Sequence, residues 1–243
     1  MVTATRDLAR SRTRRRYFFA GIALLLTGFV FWGFAASYYL PLLKGTLELS
    51  PLLHFHGVVF TAWMLFFLSQ ALLMAGGKRR VHMTLGWAGA GLASVIVVLG
   101  VVVTLSVIAG GAAAGQSEET QRFVIWPLTD ILLFAVLFGL AIGKRRRPET
   151  HKRLVILAML AMMPPALVRL SFPYFGMNPW PATLVIAAVI VAGMVHDHYR
   201  HGRIHPAWWI GGVIVAGSLP LRVAVADTDL WIALTAPLVR LVS

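Results

Sequence analysis

The 243-residue chain contains no cysteine. That excludes disulfides, thiolate metal sites, cysteine-ligated iron–sulfur clusters and covalently attached c-type haem. It leaves open a haem held by histidine alone. Charge is also scarce, at 13% of residues, and acidic charge scarcer still: nine Asp and Glu against 22 Lys and Arg. A soluble domain carries about 25% charged residues. Glycine-rich phosphate loops, nucleophile elbows and H-E-x-x-H motifs are missing as well.

What the chain has instead is apolar length. Hydrophobic residues make up 58%, and mean hydropathy is +0.78. Apolar runs fall at about 17–40, 53–76, 83–109, 123–143, 153–171, 182–199 and 207–225. About 20 apolar residues suffice for a helix to cross the hydrocarbon core. Barrel strands alternate over roughly 10 residues, which these runs do not. The expected fold class is therefore all-α: a polytopic transmembrane bundle of about seven helices over 17–225. A basic tail precedes it over 1–16, and a C-terminal segment follows over 226–243. The stretch from Leu230 to Val242 is short for a span and contains Arg240, so it is expected on the outer membrane surface, with a partial eighth helix as the alternative.

The net charge of +13 would suggest nucleic acid in a soluble protein. Here the basic residues flank apolar runs, so they read as topology signals and as contacts to anionic headgroups, with no nucleic-acid partner. The turns Gly77-Lys78-Arg79-Arg80, Lys144 to Arg153 and Tyr199 to Pro206 are basic, whereas the intervening connections are not. The positive-inside rule then predicts a plasma (inner) membrane protein with a cytoplasmic N-terminus. After the first helix the pattern suggests three hairpin repeats, with His82, His151 and His205 near the start of each returning helix.

On the second run, His56, Phe60, Trp63, Phe67 and Gln70 stand at i, i+4, i+7, i+11 and i+14. Seven residues make nearly two turns, so they share one face, which must point into the bundle. On the fifth run His151 and Arg169 are 18 residues apart, with Pro164-Pro165 between them predicting a kink. Asp130, about two turns inside the fourth run, needs a partner at that depth, and Arg169 is the expected one. A polar path through Trp63, Gln70, Asp130 and Arg169 follows from this. Gly86, Ala90 and Ser94 form a small-residue stripe expected to serve close helix packing.

Six of the eight histidines fall at the basic face. Neutral imidazole ligates haem iron and transition metals. His56, His82, His151 and His205 are candidate cofactor ligands, and His82, His151, His205 and Asp197 candidate metal ligands. Haem b or a transition metal is the expected cofactor. A second bis-histidine haem at the outer depth would have only His54 and His56, on one helix. The histidine boxes of di-iron hydroxylases are not present.

These motifs resemble those of a broad group of uncharacterised bacterial multi-pass membrane proteins, over residues 54–206. The resemblance rests on His56-Gly57 with Phe60-Thr61-Ala62-Trp63 and Gln70, on His82 with Leu85-Gly86, and on Pro148-Glu149-Thr150-His151-Lys152-Arg153-Leu154. It continues in Pro165-Ala166, Arg169 and Asp197, and ends with Gly202-Arg203-Ile204-His205-Pro206. It implies that His56, His82, His151, Asp197 and His205 matter more than the other histidines. The group has no settled activity. Three functions remain in view: a redox-linked haem or metal protein, a transporter, and an assembly subunit with a membrane-complex or homo-oligomer partner.

Overall fold

In the computed structural model, the backbone of residues 2–242 and the side chains of residues 17–241 are described. The basic side chains of the expected tail, 1–16, lie outside them. The chain is an all-α bundle: α1 (Val2–Gly33), a π-helical turn (Ala35–Tyr39), α2 (Leu40–Leu43), α3 (Pro51–Ala75), α4 (Arg79–Ala113), α5 (Ser117–Phe123), α6 (Ile125–Gly143), α7 (Pro148–Ala161), α8 (Pro164–Phe175), α9 (Trp180–His201), α10 (Pro206–Ala226) and α11 (Asp229–Val242). Five helices are long and apolar enough to cross a membrane, or up to seven if each of two bent pairs counts as one span. The protein is a multi-pass membrane protein.

Local chemistry sets the helix starts. Ser50 accepts a hydrogen bond from the Leu53 N–H, and Pro51 occupies the first turn, where its missing N–H costs nothing. Pro148 and Pro206 open α7 and α10 in the same way. α9 ends at Gly202, whose φ of +67° is the left-handed cap that glycine accepts without a Cβ clash.

Both bends have causes. The predicted kink at Pro164-Pro165 separates α7 from α8 by 45°. The first span bends by 48° after Gly33. A Cβ at Gly33 would fall on the Ala166 carbonyl of α8, so glycine permits this close crossing.

The pairs α3/α4, α6/α7 and α9/α10 pack as neighbours, as hairpins should. α7 sits in the middle, against α1, α6 and α10. Its residues Ile156 to Ala161 are all buried, because this stretch is apolar all round. The small-residue stripe does not form the close contact expected of it. Nothing lies within 4 Å of a Cβ placed at Gly86, whereas Gly89 meets Phe66 of α3 and Gly100 meets Ile131 of α6. The packing face of α4 is thus rotated from the expected one. α11 is too short to span and docks on α4 and α5. Trp231 Nε1 donates to the Gln121 carbonyl at 2.6 Å, and Gln121 Nε2 donates to the Ile232 carbonyl at 3.1 Å.

Candidate functional site

The basic turns after α3, α6 and α9 lie at one end of the bundle, and the histidines there divide into two groups. His82, in the first turn of α4, faces His151, in the first turn of α7. Their ring centres are 6.3 Å apart, edge to face. His151 Nδ1 lies 2.9 Å from the Ala141 carbonyl oxygen. A carbonyl can only accept, so Nδ1 carries the hydrogen and Nε2 keeps its lone pair. This is the tautomer that a metal-ligating imidazole adopts when a backbone carbonyl orients it. His82 Nδ1 is buried with no protein partner. The Gln70 backbone carbonyl lies beside the His82 ring.

His205 belongs to the second group. Its Nδ1 accepts from the Ala207 N–H at 3.1 Å and so caps α10. That leaves Nε2–H to donate to Thr150 Oγ1 at 3.3 Å. Both ring nitrogens are spent on structure. Asp197 is spent as well: Arg153 Nε donates to its Oδ2 at 2.8 Å, Arg153 Nη2 binds Oδ1, and the His205 N–H reaches Oδ2 at 3.2 Å. Arg153 also donates to the Glu149 carboxylate and carbonyl one turn earlier. Burial, and then the Arg153 guanidinium, hold the His205 imidazole below its ordinary pKa.

The expected ligand set therefore splits. His82 and His151 come together, while His205 and Asp197 form a lock joining α7, α9 and α10. Among the described residues, no three His, Asp or Glu side chains group to hold a metal ion. His56 stands toward the other end of α3, about 21 Å from Gln70 along the helix. Its ring stacks on Phe60 at 4.0 Å. His196 stacks on Phe18 at 3.8 Å.

The expected Asp130–Arg169 pair is not formed. Asp130 is buried against Arg222 of α10, whose Nη1 donates to Oδ1 at 2.5 Å. Arg222 also donates to Ser218 Oγ at 3.2 Å and lies over the Trp126 ring. Arg169 is exposed, donates to the Pro165 carbonyl of its own helix and covers the Phe34 ring at 4.5 Å. The polar path drawn through Asp130 and Arg169 loses its charged pair in this way.

No family model, characterised protein or solved structure matches this chain.

Three residues that organise these contacts carry no role in the sequence pattern. Arg222 was hidden inside the last apolar run; its depth, one turn from the same end of the bundle as Asp130, is the signal that could have found it. Arg153 read as one more basic turn residue, although its i+4 spacing from Glu149 marks a pair. Thr150, which the His205 ring contacts, carried no separate signal.

Proposed function

We propose that this protein holds a redox-active metal centre between His82 and His151, at the cytoplasmic face of a bacterial inner membrane, with the N-terminus inside. The observation that carries the reading is the facing pair: two imidazoles from different helices, one fixed by Ala141 with its Nε2 lone pair available. Metal–nitrogen bonds of about 2 Å, with roughly 1 Å more from each nitrogen to its ring centre, put opposed imidazoles about 6 Å apart on one ion. The observed separation is 6.3 Å.

Two protein ligands suit a haem, whose macrocycle fills the remaining positions, better than a bare ion that needs four. When bound, haem would supply one-electron transfer. The chain's part is to hold the two rings: Ala141 orients His151, and the Arg153–Asp197 pair fastens the second turn of α7, next to the first turn on which His151 stands. The basic turns favour the cytoplasmic placement. The motif resemblance agrees, since His82 and His151 are among the residues that carry it.

The test is the optical spectrum and metal content of protein purified from haem-replete cells. A Soret band with stoichiometric iron is expected, lost in His82→Ala and in His151→Ala and kept in His56→Ala. A colourless preparation without stoichiometric metal overturns the proposal.

A further inference from the structure

We propose a second activity that does not depend on the two-histidine centre: the inner face of α3 guides a chain of waters that conducts protons across the membrane, with its narrow point at Trp63. Four polar atoms on this face are buried without a protein partner: His56 Nδ1, Trp63 Nε1, and both amide atoms of Gln70. Buried polar atoms in folded proteins are almost always paired, so each exception calls for an explanation. Here three residues at seven-residue spacing share the exception, on the face that turns into the bundle.

Unpaired buried polar atoms also occur at His82 on α4, at His196 on α9, and at Trp208 and Arg222 on α10, but among the described residues α3 alone carries three such residues on one face. Thr27, Thr61 and Thr104 each donate to a carbonyl one turn back on their own helix. The unpaired side chains of α3 are ones too rigid or too long to close on their own backbone.

The chemistry of the set selects its occupant. Gln70 Oε1 needs a donor, Gln70 Nε2 and Trp63 Nε1 need acceptors, and His56 Nδ1 takes either. Water supplies both. An ion supplies one, and α3 has no Asp, Glu, Lys or Arg to offset a dehydrated charge. Successive groups are about 10 Å apart along the helix, a gap that a few waters bridge. A proton relayed along such a chain needs no side chain to carry a lasting charge.

Around Trp63 the walls are aromatic. Phe134 and Phe138 meet its ring edge-on, with centroids at 5.6 and 5.3 Å. An apolar constriction of this kind gates by wetting and drying. The Gln70 end of the path lies beside His82, so the chain of waters would reach the basic face next to the proposed centre.

The full-length protein is reconstituted in liposomes holding a trapped pH dye, and a potassium gradient with valinomycin sets the potential. Proton entry well above that of protein-free liposomes is expected. Trp63→Phe and Gln70→Leu should each reduce it about tenfold, because each removes hydrogen-bonding groups at a different depth. Thermal unfolding of the two variants in detergent and their metal content, both expected unchanged, separate a lost path from a lost fold. Wild-type flux equal to that of empty liposomes overturns the proposal; so does undiminished flux in both variants, or an equal flux of sodium. Colourless protein that conducts protons would sink the metal centre alone, and coloured protein that does not would sink the path alone.

Discussion

Arg153 and Asp197 meet in a two-point ion pair with both side chains almost wholly out of contact with solvent, at 1% and 0% exposure. The pair ties the second turn of the central helix, α7, to the last turns of α9. The same carboxylate accepts the His205 N–H, so the start of α10 is held by the same group. Three helices thus converge on one carboxylate. Thr150 and Arg153, two residues of this lock, flank His151, which faces His82.

Removing one member should cost far more than removing both. Asp197→Ala takes away the buried partner of the Arg153 guanidinium and leaves it only the half-exposed Glu149 carboxylate, a loss of about 3 kcal/mol. The double replacement Arg153→Met with Asp197→Leu should recover most of it, since apolar groups of similar size replace a buried pair with little penalty. Thermal unfolding in detergent checks both, and an additive double variant would contradict the coupling.

The partner of Asp130 can be assigned by the same logic. Arg222→Ala strands a buried carboxylate and should destabilise by about 3–5 kcal/mol. Arg169→Ala removes an exposed contact with Phe34 and should cost about 1 kcal/mol or less. Unfolding midpoints of the two variants, compared with that of Asp130→Asn, should group Asp130 with Arg222.

Much of the fold was legible because lipid imposes it. The seven apolar runs correspond to five long helices and two bent helix pairs, and the double proline marks the second bend. Side-chain partners were not legible in the same way. Depth along a helix can be counted from the sequence, but the facing of one helix toward another cannot. Asp130 was matched to the arginine on the next apolar run, Arg169, when the charge at its depth and facing was Arg222 on α10. Position at the basic face grouped His205 with His82 and His151; the Ala207 N–H and Thr150 then claimed its nitrogens. The π-helical turn at Ala35–Tyr39 had no visible signal. It arises where Tyr38 packs against Gly57 and Tyr39 Oη lies 2.9 Å from Thr61 Oγ1.

His205 should give the fold a measurable pH dependence. Its folded pKa lies below the ordinary value, first because burial disfavours the charged ring and then because Arg153 does; Asp197 and Glu149 oppose this, and Lys152 adds a smaller push downward. Above the unfolded value of about 6.5 the ring is neutral in both states and its contribution is fully present. As pH falls through that value the unfolded chain takes up the proton first, so stability declines. Protonation at Nδ1 also ends its acceptance from Ala207. His205→Asn keeps a capping side chain that does not titrate. The midpoint difference between wild type and this variant should be flat above about pH 7 and move against wild type below about pH 6.

The α9/α10 contact tests the packing itself. A Cβ added at Gly193 would lie only 2.3 Å from the ring of Trp208, a fully buried side chain. Gly193→Ala should therefore destabilise by about 1–3 kcal/mol, as overpacking does. Gly91 on α4 is the control: it is exposed, and nothing lies within 4 Å of its added Cβ. There the same substitution only removes backbone freedom from the unfolded chain, and should stabilise by about 0.5–1 kcal/mol. The opposite signs matter more than the sizes. If both variants lose stability equally, glycine is serving flexibility in these helices, and the tight α9/α10 crossing at Trp208 is not what holds them in register.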